Sequence, residues 1–175
     1  MEGIEEMFRQ AFERHSDELF RHAALRLSDR DRALEITQEC FLRAWKYVGR
    51  GEEIREMRLF LFRTLRNLII DEYRKTKSFS LDKMVEDEDG NTESSLLACD
   101  TDELEEALNR FEIARAVEAI LALPDLYREV FTLRYIDDLT VSEIAPLIGE
   151  SENVVSVRLH RGLKKLRAIL EAKET

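Results

Sequence analysis

The chain has 175 residues, 37% of them charged, with a formal net charge of −10 and only six glycines and two prolines. So few breakers, and so few alternating β-branched runs, exclude a sheet-rich fold and predict an all-α protein large enough for one domain or two small ones. No apolar run approaches the ~18 residues of a membrane span, MEGIEEMFRQ lacks a signal peptide's basic and apolar regions, and Cys40 and Cys99 stand without a CxxC or nearby histidines; a cytoplasmic protein without zinc or a disulfide framework is expected.

Ile4, Phe8, Ala11 and Phe12 recur at helical spacing over residues 4–14. Ser16 is placed to cap a second helix carrying Leu19, Ala23 and Leu27, and Ser28 opens a turn. Residues 31–48 predict a long amphipathic helix with Leu34, Thr37, Phe41, Ala44, Trp45 and Val48 inward, and Asp31, Glu35, Gln38 and Glu39 outward. Gly49 and Gly51 mark a loop, and residues 57–76 form the most apolar helix. Between Arg55 and Lys77 seven basic residues, Arg63 among them, face three acids, with Phe60, Phe62 and Tyr73 interleaved. Single-stranded nucleic acid sites use this mixture for stacking and phosphate contact. The phenylalanines are mostly expected in the core, which leaves Arg66, Asn67, Arg74 and Lys75 as the stronger candidates.

Residues 78–106 have little periodicity and dense acid, and read as a linker. Residues 78–109 carry one basic and 11 acidic side chains, against 16 and 15 in residues 1–77 and 10 and 11 in residues 110–175. The linker thus holds the whole imbalance, so the acidic total is no argument against nucleic acid binding by either end.

Beyond it, Phe111, Ile113, Val117, Ile120 and Leu121 predict a helix reaching Leu123, and Pro124 suits the first position of the next, PDLYREVFTLRYIDD. Thr140 and Glu143 then form a capping box for a short helix that Gly149 ends. Pro146 inside that helix should loosen its second turn. Ser151 can cap a longer helix with Val155, Leu159, Leu163, Leu166 and Leu170 on its core face and Val157, His160, Arg161 and Lys164 opposite, Arg158 and Lys165 on one flank and Ser156 and Arg167 on the other. Residues 154–167 contain five Lys or Arg and no acid. Such a face suits the major groove, where arginine pairs with guanine edges and phosphates and small apolar groups touch thymine methyls. A solvated basic face favoured by the dipole at a helix C-terminus would look similar. The three histidines lie apart, no Gly-rich phosphate loop occurs, and no catalytic signature is present.

EITQECFLRAW, LFRTLRNLIIDEYRK, and LPDLYREVFTLRYIDDLTVSEIAPLIG leading into NVVSVRLHRGLKKLR resemble, in this order, segments of the bacterial RNA polymerase sigma factors of the extracytoplasmic-function group. The resemblance implies two helical domains, region 2 over residues 1–77 and a region 4 helix-turn-helix over residues 107–175, joined by the linker of residues 78–106. It implies that Glu35, Gln38 and Glu39 face core RNA polymerase. Arg63, Arg66, Asn67, Arg74 and Lys75 would meet the minus-ten element of promoter DNA, Asn67 and the loop from Gly49 to Glu56 holding an extruded base. Ser156, Val157, His160 and Arg161 would approach base edges of the minus-thirty-five element, with Arg158 and Lys164 nearer to phosphates. An anti-sigma factor is the expected regulator; no cofactor, metal or catalysis is implied. Leu34 and Glu35 stand where the family usually has an acid and an aspartate, Phe60 replaces a common tryptophan, and Val154 and Val157 replace threonine and serine. A stand-alone helix-turn-helix regulator, and a sigma mimic that titrates an anti-sigma factor, are the alternatives.

Overall fold

The computed structural model describes residues 2–27, 29–79 and 113–172, which fall in two compact units, Met1–Asn91 and Thr92–Thr175. Beyond Phe79 the acidic linker expected over residues 78–106, and the start of the expected helix at Phe111, lie outside the described residues.

The first unit packs α1 (Glu2–Leu27), α2 (Arg30–Gly49) and α3 (Met57–Phe79) each against the other two. α1 is one helix of 26 residues, not two. Ser16 lies in its interior, where serine costs only about 0.5 kcal/mol relative to alanine and no glycine or proline forces a break. Its core stripe is Phe8, Ala11, His15, Leu19, His22 and Ala23, so two histidines sit where an apolar pattern would place hydrophobes. Both are provided for. The Glu18 Oε1 atom lies 2.5 Å from His15 Nδ1, Arg58 donates to Glu18 Oε2 at 3.0 Å, and the His22 ring stands edge-on to Phe62 at 5.7 Å.

Asp29 caps α2 by accepting from the Arg32 amide at 3.0 Å. The buried stripe runs through Ala33, Ile36, Thr37, Cys40, Phe41 and Ala44, so Thr37, Phe41 and Ala44 are buried as expected, with Ala33, Ile36 and Cys40 beside them. Leu34 and Trp45, expected inward, are 49% and 41% exposed. Small residues at 33, 40 and 44 let α2 approach its neighbours closely, and that preference overrides the bulk of the flanking hydrophobes. The Thr37 hydroxyl is satisfied by the Ala33 carbonyl at 2.8 Å, and the Cys40 thiol donates to the Leu61 carbonyl at 3.2 Å. Burial pushes that thiol up to about 12, leaving it unreactive at neutral pH. α3 supplies Leu61, Phe62, Leu65, Leu68 and Ile69 to the core and continues to Phe79, past the expected end at Thr76.

The second unit contains α4 (Ile113–Leu121), α5 (Asp125–Phe131), α6 (Val141–Ile148) and α7 (Glu152–Ala172), with α4, α5 and α6 all packed on α7. Pro124 is the cap of α5, one position before the expected one. α5 runs into a π-helical turn, Thr132–Ile136, closed by the Asp137 amide on the Thr132 carbonyl at 3.0 Å. Asp138 then takes a left-handed conformation, φ 54°, which redirects the chain into α6. Thr140 and Glu143 make the expected capping box, and Gly149 ends α6 at φ 76°. The helix runs continuously past Pro146, whose ring is exposed. Val155, Leu159, Leu163, Leu166 and Leu170 are buried as the spacing predicts, together with Gly162.

Candidate nucleic-acid interface

On α7 the helical repeat that buries Leu159 and Leu163 turns the opposite face outward. Arg161 and Lys164 are exposed there, Ser156, Val157 and His160 are half-buried, and Lys165 and Arg167 extend the exposed basic surface. Ser151 starts the helix by accepting from the Val154 amide at 3.3 Å. Arg158 differs from the rest of the set. Its side chain is only 18% exposed, and Nη2 donates to Glu150 Oε1 at 2.6 Å. Lys165 lies 5.5 Å from the centre of the Tyr127 ring, so part of its charge rests on α5.

On α3, Arg63, Asn67 and Arg74 fall within about 40° of one another at 100° per residue, and all three are exposed. At about 1.5 Å rise per residue they span roughly 16 Å, several nucleotides of strand. Lys75 flanks this stripe on one side and the half-buried Arg66 on the other. Arg74 and Lys75 are 78% and 71% exposed, with Asp71 3.8 Å from Arg74 and Glu72 4.0 Å from Lys75. Two solvated cations at the end of α3 can exchange such partners for phosphates at little cost.

Glu35 and Gln38 on α2 are exposed and Glu39 is half-buried. Arg32 bridges two helices, donating to Glu35 Oε2 at 2.5 Å and to Glu72 Oε2 at 2.6 Å, while Arg43 donates to Glu39 Oε1 at 2.9 Å. Hydrogen bonds from Arg43 and from Arg32 hold the Glu39 and Glu72 carboxyls below the usual carboxylate range. Beside these acids lie hydrophobes that the sequence pattern assigned to the core or left unassigned. Phe12 and Leu42 are exposed along with Leu34 and Trp45, and the rings of Phe8 and Trp45, like those of Phe12 and Phe41, meet at 5.0 Å. An exposed apolar patch next to carboxylates is a candidate protein-contact surface. The departure of Trp45 from the expected stripe could have been found only by noticing that Ala33, Cys40 and Ala44 define a tighter one.

The family model "Sigma-70 region 2" matches residues 11–79, and "Sigma-70, region 4" matches residues 113–166. The chain is 32% identical to the ECF RNA polymerase sigma factor SigW of Bacillus subtilis, over 94% of this chain and 89% of that protein. It is equally 32% identical to the ECF RNA polymerase sigma factor SigL of Mycobacterium tuberculosis, with the same coverage of each. In fold it is similar to the sigma factor RpoE solved in complex with the anti-sigma factor NepR from Bartonella quintana, with a TM-score of 0.67 at 21% identity over 94% of this chain and 96% of that one.

Proposed function

The chain belongs to the extracytoplasmic-function sigma factors of the sigma-70 family, and from that premise we propose how its two units divide the work of directing RNA polymerase to promoters. Region 2, residues 1–77, carries both the polymerase contact and the contact with the minus-ten element. Region 4, residues 107–175, reads the minus-thirty-five element with α7. Residues 78–106 connect them.

The observation that carries this reading is the pairing of two exposed cationic faces, Arg63, Asn67 and Arg74 on α3 and Arg161 and Lys164 on α7, in a chain whose total charge is −10. Strand opening requires a site that holds unpaired bases, since unstacking costs a few kcal/mol. Asn67 offers the hydrogen-bonding group for such a base, and Arg63, Arg66, Arg74 and Lys75 neutralise the neighbouring phosphates. On α7, Ser156, Val157, His160 and Arg161 face base edges and Lys164 the backbone. Glu35, Gln38 and Glu39, with the apolar surface around Trp45, bind core polymerase.

The protein is an initiation factor that lowers the barrier to opening by binding, with no bond-making of its own, and it works in the cytoplasm with the polymerase. No helix among the described residues is long and apolar enough to cross a membrane. An anti-sigma factor is its regulator, in keeping with the NepR complex of RpoE. The test is co-purification with core RNA polymerase: the wild-type chain binds, and Glu35→Gln with Glu39→Gln weakens binding by at least fivefold. Equal retention of both chains would contradict the polymerase assignment.

A further inference from the structure

Arg158 lies on the flank of the reading face, yet its geometry is unlike that of a phosphate contact. A cation that meets DNA late in binding is best left in water, as Arg161 and Lys164 are. Arg158 instead reaches back across the first two turns of α7 to Glu150, at the charge-assisted distance of 2.6 Å, with less than a fifth of its side chain exposed. Glu150 belongs to the turn between α6 and α7, and its own amide is fixed by the Ala145 carbonyl of α6 at 3.0 Å. A continuous set of bonds therefore runs from α6 through Glu150 to the guanidinium of α7. Ser151 also caps α7 at 3.3 Å, a bond near the outer limit of useful geometry, and its carbonyl accepts from the Val155 amide at 3.1 Å.

We propose that Arg158 is a positioning residue that touches no DNA: clasped by Glu150, it fixes the direction in which α7 leaves the turn and so aims Ser156, Val157, His160 and Arg161 at the bases. This rests on the assignment of α7 to the minus-thirty-five element and names a residue on which that reading depends. It also separates Arg158 from Lys164, with which the family resemblance groups it as a phosphate contact.

The test uses the full chain bound to core polymerase, with promoter affinity measured over a salt series. Arg158→Gln and Glu150→Gln each weaken binding roughly three- to tenfold, and the double substitution is no worse than either, because both remove one shared interaction. The slope of log affinity against log salt stays at the wild-type value, whereas Arg161→Gln lowers it by about 0.9 through loss of a DNA charge contact. The losses vanish on DNA whose upstream element is scrambled, which a general loss of folding would not produce. Reversing the pair, Glu150→Arg with Arg158→Glu, restores most of the affinity, although a carboxylate placed against a phosphate would weaken binding further. A slope lowered by about 0.9 in Arg158→Gln, or additive losses in the double variant, would overturn the clasp. Unchanged promoter affinity in every variant, Arg161→Gln included, would instead overturn the assignment of α7 and the clasp with it.

Discussion

The buried ring of Phe131 stands so close to Gly162 that a β-carbon at 162 would lie 2.4 Å from its Cε2 atom. α5 and α7 thus meet where α7 has no side chain, and α7 takes its distance from the domain core at that point. Gly162→Ala gains up to about 1 kcal/mol of helix propensity but forces an overpacked contact costing about 1–3 kcal/mol. A net loss of about 1 kcal/mol in urea unfolding followed by ellipticity is expected. Adding Phe131→Leu should make the alanine less costly than it is alone.

Asp138 is the one described non-glycine residue at positive φ, 54°, and its side chain is exposed. Left-handed geometry costs an L-residue about 1–2 kcal/mol, somewhat less for aspartate. Asp138→Gly is expected to stabilise the second unit by about 0.5 kcal/mol, and Asp138→Val to destabilise it by more than 1 kcal/mol, in thermal unfolding.

Thr140 accepts from the Glu143 amide at 3.3 Å, and Glu143 Oε2 accepts from the Thr140 amide at 2.8 Å. α6 has eight residues, too few to form without help from its ends and its packing. Thr140→Ala should cost about 1 kcal/mol, and amide exchange should quicken first at Glu143 and Ile144.

How legible these features were in the sequence depended on how far apart their partners lie. The helix-turn-helix could be read because its signals are local: Thr140 with Glu143, Gly149 at the stop, and a leucine stripe repeating along α7. In the first unit the deciding relationships are distant. Arg32 with Glu72, and Arg58 with Glu18, each join residues 40 apart. Ser16 carries the local signal of a cap, which is why one helix reads as two, and His15 and His22 fill core positions of that helix. Trp45 reads as core until the small residues of α2 show which face packs. Arg158 shares a flank with the exposed Lys165, and its burial and contact with Glu150 set it apart.

Glu18 provides a pH prediction. Burial works to raise its carboxyl, but the hydrogen bonds from Arg58 and then His15 outweigh it, and the net shift is downward from 4.5. A carboxylate with a depressed folded value stabilises the fold above its unfolded value, and that contribution is lost as pH falls through the folded one. Glu18→Gln should therefore lower the stability of the first unit at pH 7, with the gap to wild type narrowing as pH drops below about 4.5. Trp45, the only tryptophan, lies in this unit, so its fluorescence during urea unfolding reads the effect.

The central claim is tested most directly by sequencing the 5′ ends of transcripts made by core RNA polymerase, with and without this chain, from a library of randomised double-stranded DNA. The account predicts a discrete set of start sites that needs the chain, with a shared upstream element whose preference changes or disappears when His160 and Arg161 are replaced by alanine. Start sites of the same number and sequence in the presence and absence of the chain would contradict it.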